Sequence, residues 1–141
     1  MSAESIFWPV TALALWTLVM LTLTAYQRIG AVVRRQLRSR DFTVGESEGV
    51  PLAMRLRNRN LVNLFEMPVL FYVVCLALYV TKQADSAAVW LAWLFVALRV
   101  GHSLVHITYN RVTHRLLVFA FSNFTLLALW LVFIKGLAEK S

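Results

Sequence analysis

Three stretches of this chain place ionisable side chains where apolar ones are expected. Arg59, Asn63 and Glu66 follow one another at spacings of four and three, which aligns them along one face of a helix. Arg99, His102, His106 and Tyr109 repeat the pattern at three, four and three. His114 and Arg115 open a further apolar run that also carries Ser122, Asn123 and Thr125. Each group lies within or at the edge of a run long enough to cross a bilayer. An ionisable residue there costs about 2.5–3.5 kcal/mol on insertion scales, so each one asks for a reason.

The chemistry such a set supports is anion binding. Arg59, Arg99 and Arg115 face one carboxylate, Glu66, and leave a net positive layer. Its natural occupant is a small polar ligand with carboxylates, or a thiolate. Arg99 lies deeper than the others, and its long side chain can reach back towards Glu66. That pair alone could neutralise itself and lock two helices together, but an ion pair needs no histidines, asparagine and extra arginines around it. His102 and His106 have the i, i+4 spacing of a metal pair. With arginines adjacent and no third ligand beyond Glu66, no metal is expected. The single cysteine, Cys75, lies in an apolar run and reads as a small buried hydrophobe.

The elements that must position these groups are membrane helices. Apolar residues make up 60% of the 141 and charged ones 15%, and the mean hydropathy is +0.67. A soluble domain of this size needs more polar surface. About 20 mainly apolar residues cross the roughly 30 Å of hydrocarbon, and four segments meet that length: about 7–26, 61–80, 87–107 and 116–134. Short polar breaks at 81–86 and 108–115 force consecutive helices to be antiparallel neighbours. The fold class is therefore all-α, an integral membrane four-helix bundle, with residues 1–141 forming one domain. The first span has only Glu4 as a charge before it and is too long for a cleaved signal peptide, so it reads as retained.

The net charge of +7 does not point to nucleic acid, because the arginines flank apolar segments. The loop at about 29–60 carries Arg28 at its edge and then Arg34, Arg35, Arg38, Arg40, Arg55, Arg57 and Arg59, and the third loop carries Arg111 and Arg115. The opposite side holds Lys82, Lys135 and Lys140, partly offset by Glu4, Asp85 and Glu139. The positive-inside rule puts the arginine loops in the cytoplasm and both termini on the other side. Within the long loop, 29–41 is basic and could continue the first helix. The stretch 43–51 is acidic and turn-rich and should be irregular, and Leu52 onwards reads as the start of helix 2. Glu66 lies five residues inside the cytoplasmic end of the second span at Leu61, about 7–8 Å at helical rise. Arg59, Asn63, Glu66, His102, His106 and Arg115 can thus converge in one layer near the cytoplasmic face.

These residues resemble the signatures of the MAPEG family, the membrane-associated proteins of eicosanoid and glutathione metabolism. The helix 2 signature is an arginine, an asparagine four later, a glutamate three after that and a nearby proline, here Arg59, Asn63, Glu66 and Pro68. The helix 3 signature Arg-x-x-His is Arg99-Val100-Gly101-His102, and the arginine opening helix 4 falls sixteen residues after Arg99, at Arg115. The resemblance spans essentially the whole chain. It implies a homotrimer with glutathione as cosubstrate between subunits, held by Arg59, Asn63, Glu66 and His102, with Arg99 and His106 in the same layer. Arg115 would lower the thiol pKa and stabilise a thiolate that attacks a lipophilic electrophile or reduces a hydroperoxide. Arg34 or Arg35, at the end of helix 1, would contribute a further cation. The partners implied are membrane lipid, further copies of the chain and a lipophilic small molecule, in a bacterial inner membrane. Four positions depart from the family pattern: His106 stands where many members have tyrosine, Leu116 and Phe119 replace hydroxyl-bearing residues, and Pro68 comes early. Some members bind lipid and catalyse nothing, so a non-catalytic lipid-binding or accessory protein is the alternative. A small channel lined by Arg99 and Glu66 is a third reading.

Overall fold

The computed structural model describes residues 2–42 and 49–140, so most of the acidic stretch 43–51 lies outside the described residues. Four helices account for most of the rest: α1 at Phe7–Val33, α2 at Leu52–Val80, α3 at Ser86–Ile107 and α4 at Val112–Ala138. All four are long and apolar enough to cross a membrane, and each contains one of the expected spans. The helices extend beyond the apolar runs at the arginine-rich end, because a helix satisfies its own backbone whether lipid or water surrounds it. The basic stretch after residue 28 continues α1 only to Val33. Arg35 then takes a left-handed conformation at φ 56°, and the Gln36 amide returns to the Ala31 carbonyl at 2.9 Å. That bond satisfies an open carbonyl at the helix end. A short 3-10 turn follows at Ser39–Phe42, where the Arg28 guanidinium lies 5.0 Å from the Phe42 ring centre.

The turns between the later helices are set by local chemistry. Pro51 supplies a fixed φ of −52° at the start of α2. Asp85 caps α3 by accepting the Ala88 amide at 2.8 Å. Lys82 and Asn110 close α2 and α3 in left-handed conformations. Both turns are short, so α2, α3 and α4 run antiparallel in succession, and the C-terminal ends of α1 and α3 share one end of the bundle with the N-terminal ends of α2 and α4.

The helices α2 and α3 form the centre, and α1 and α4 each pack on both of them but hardly on one another. The core between them is apolar, with Leu13, Phe71, Val74, Leu78, Phe95 and Leu129 fully buried. Phe71 of α2 stacks on Phe95 of α3 at 4.6 Å between ring centres. Leu15, Leu18, Val73, Leu76, Phe124 and Leu127 are exposed on the outer surface, as expected of helices that face lipid.

Candidate functional site

At the arginine-rich end α2 and α4 part, and the gap between them over α3 is a cleft of about 390 Å³. Its lining comprises Arg59, Val62, Asn63 and Glu66 from α2, His102 and His106 from α3, and Val112, Arg115, Leu116 and Phe119 from α4. Six residues expected in one layer are therefore brought together: Arg59, Asn63, Glu66, His102, His106 and Arg115. The spacing of three and four keeps each helix's contribution on one face, and the antiparallel turns bring those faces to the same depth.

Arg115 is the best-fixed cation in the cleft. Its Nη1 donates to Asn110 Oδ1 at 2.9 Å and lies 3.5 Å from His106 Nε2. His102 packs edge-on to His106 at 5.9 Å and lies 5.7 Å from the Phe119 ring. Arg59 and Glu66 are exposed at the rim. The first turn of α4 carries no side-chain cap, so its free amides add partial positive charge beside Arg115. The arrangement suits a ligand that is anionic at one end and apolar at the other.

Two expected residues sit elsewhere. Arg99 does not line the cleft. It is 1% exposed and lies beneath, with its guanidinium 5.4 Å from the Phe119 ring and 5.6 Å from Phe95. Nor does it pair with Glu66: among the described residues no carboxylate comes within 4.0 Å of it. Its Nη2 instead donates to the Asn63 carbonyl at 3.4 Å, and Nε and Nη1 have no hydrogen-bond partner among the described residues. The reason is that Glu66 points outward from α2 while Arg99 points into the α2–α3–α4 junction. Arg34 lies in a separate groove with Tyr26, Gln36, Pro51 and Met54. Since α1 is on the far side of the central pair from α4, Arg34 does not reach this cleft. Arg35 is exposed beside it.

Sequence reasoning missed two supports. Asn60 is 1% exposed and donates from Nδ2 to Ser103 Oγ at 2.7 Å, with Met20 Sδ at 3.4 Å. It joins α1, α2 and α3 just behind the cleft. It carried no distinct signal, because it follows the polar Arg57, Asn58 and Arg59 at the edge of the apolar run and falls outside the Arg59–Asn63–Glu66 stripe. Asn60→Ala is expected to lower stability by about 0.5–1.5 kcal/mol, measured by unfolding in detergent. Combining it with Ser103→Ala should add little, because the two share one bond. The second support is Asn110, which read as an ordinary loop residue.

The model of the MAPEG family matches residues 6–135 of this 141-residue chain. The chain belongs to the MAPEG family. Comparisons with curated proteins and with solved structures gave no significant match. Membership agrees with the four apolar helices, and this MAPEG chain is an integral membrane protein of glutathione or eicosanoid metabolism at the level of its family.

Proposed function

We propose that this MAPEG chain binds glutathione in the α2–α3–α4 cleft and transfers its sulfur to lipophilic electrophiles, or uses it to reduce lipophilic hydroperoxides. The observation that carries this reading is Arg115, whose guanidinium is held in the cleft by a neutral amide oxygen and so keeps its full charge for an anion. Arg59 and His102 would bind the carboxylates of the tripeptide, and Glu66 its ammonium, with Asn63 and His106 completing the polar wall. Arg99 beneath contributes positive potential. In transfer, the thiolate sulfur forms a bond to the electrophilic carbon and a halide leaves. In reduction, two glutathione thiols supply two electrons and two protons to the peroxide, giving alcohol, water and the glutathione disulfide. Val62, Leu116 and Phe119 form the apolar wall against which the lipophilic substrate would lie.

The functional unit in this reading is a homotrimer. Arg34 is too far round the bundle to serve its own cleft, and a neighbouring copy would bring it there. The cleft faces the cytoplasm and the termini face the opposite side, following the arginine asymmetry.

Calorimetric titration of the purified protein with glutathione tests the reading, together with conjugation of a chlorodinitrobenzene-type electrophile. Saturable binding at or below millimolar ligand and release of chloride are expected. No binding at millimolar glutathione would favour the lipid-binding alternative, which the apolar and laterally open wall of the cleft also suits.

A further inference from the structure

We infer that Asn110 is a positioning residue that fixes the Arg115 guanidinium in the cleft without cancelling its charge. This rests on the reading of Arg115 as the counter-charge of a bound thiolate. An arginine side chain is long and loses much rotamer freedom when it is held in one place, so a site that depends on its position needs a fixed partner. The contacts of the Arg115 guanidinium among the described residues are the Asn110 amide oxygen at 2.9 Å and the His106 ring nitrogen at 3.5 Å. The first is a well-formed bond and the second lies at the limit of one. Both acceptors are uncharged groups.

The type of residue matters. A carboxylate at position 110 would hold the guanidinium more tightly, but it would also neutralise it. An amide orients the cation and leaves its field directed at the ligand. Asparagine also suits the backbone. Asn110 has φ 46°, the left-handed region that asparagine enters more readily than most residues. Its own amide closes α3 by donating to the Val105 carbonyl at 2.9 Å. One residue therefore ends α3, turns the chain towards α4 and aims its side chain at the arginine in α4's first turn.

Two substitutions separate this role from a structural one. Asn110→Gly keeps the left-handed backbone and deletes the amide. Asn110→Asp keeps the size, the acceptor and the backbone preference, but adds a negative charge. The readouts are the pH midpoint of thiolate formation for bound glutathione, followed by ultraviolet absorbance, and kcat and KM measured separately. Asn110→Gly is expected to raise the midpoint by about one pH unit and lower kcat about tenfold at neutral pH, with KM for glutathione changed by less than about threefold. Asn110→Asp is expected to raise the midpoint at least as far, although its hydrogen bond survives. A purely structural role predicts the reverse order, with Asn110→Asp near wild type. That order, or an unchanged midpoint in a folded Asn110→Gly protein, overturns the inference. If the wild-type protein forms no thiolate with glutathione, the parent reading falls, and the inference with it.

Discussion

Arg115→Ala is expected to lower conjugation at neutral pH by about 10²–10³-fold while leaving the protein folded and its assembly unchanged. The size follows from removing one charged donor aimed at the reacting anion in a partly desolvated site, which costs about 2.7–4 kcal/mol in comparable cases. Glutathione affinity should fall much less, because Arg59, Asn63, Glu66 and His102 remain in the cleft. The loss should therefore appear mainly in kcat. It should also depend on pH with a defined sign. The arginine lowers the pKa of the bound thiol, so its removal matters most where the free thiol is protonated. The deficit should shrink as pH rises past the ordinary thiol value of about 8.5. Arg115→Lys retains a charge but not the planar guanidinium whose Nη1 is held by Asn110, and should recover only part of the rate. Steady-state kinetics from pH 6 to 10, with size analysis in detergent, checks each point. Wild-type activity in Arg115→Ala would remove this residue from the mechanism.

The second large effect is expected at Arg99, and it runs in opposite directions for stability and for binding. The guanidinium is almost fully buried, and among the described residues two of its nitrogens have no partner and no carboxylate comes within 4.0 Å of it. Such a group is costly in the empty protein. Arg99→Met keeps an unbranched stem between Phe95 and Phe119 and removes the charge. The carbonyl of Asn63 lies in the interior of α2, so the helix still provides it with a backbone donor. Replacement of buried ions by apolar groups of similar shape is often neutral or stabilising by about 1–4 kcal/mol. The unliganded variant should thus unfold at the same temperature as the wild type or higher. Its glutathione affinity should drop about tenfold or more, roughly 1.4 kcal/mol, because positive potential beneath the cleft is lost. Thermal unfolding in detergent with and without ligand measures both. A variant that is strongly destabilised, or that binds as before, would show that Arg99 serves packing alone.

The residues differ in how readily their places could be read. Glu66, Asn63 and Arg59 were legible because a helix fixes which of its residues share a face, and the same holds for His102 and His106. Arg115 was legible because the turn before it is too short to place α4 anywhere but beside α3. The Arg99–Glu66 contact was a reasonable expectation that failed. Spacing gives the depth of two side chains but not the rotation of one helix about its axis relative to the next, and that rotation turns Glu66 outward and Arg99 inward. Asn110 was hidden for a related reason. Its role depends on a backbone angle and on a side-chain direction within a turn, neither of which has a periodic signature.

The amino-acid sequence by itself determined that the chain is a bundle of four membrane helices, that cationic and polar groups gather at its arginine-rich end, and which family it resembles. Hydrophobic length and helical periodicity decide the first two, and the motifs at Arg59–Glu66, Arg99–His102 and Arg115 carry the resemblance; all are properties of local sequence. Only the tertiary structure decided that the polar layer opens as a cleft between α2 and α4, that Arg99 lies beneath it rather than in it, and that Arg34 belongs to another surface. It also decided that Arg115 is held by a neutral amide. These depend on how the helices are rotated and splayed, which is set by side-chain packing across helix pairs far apart in the chain.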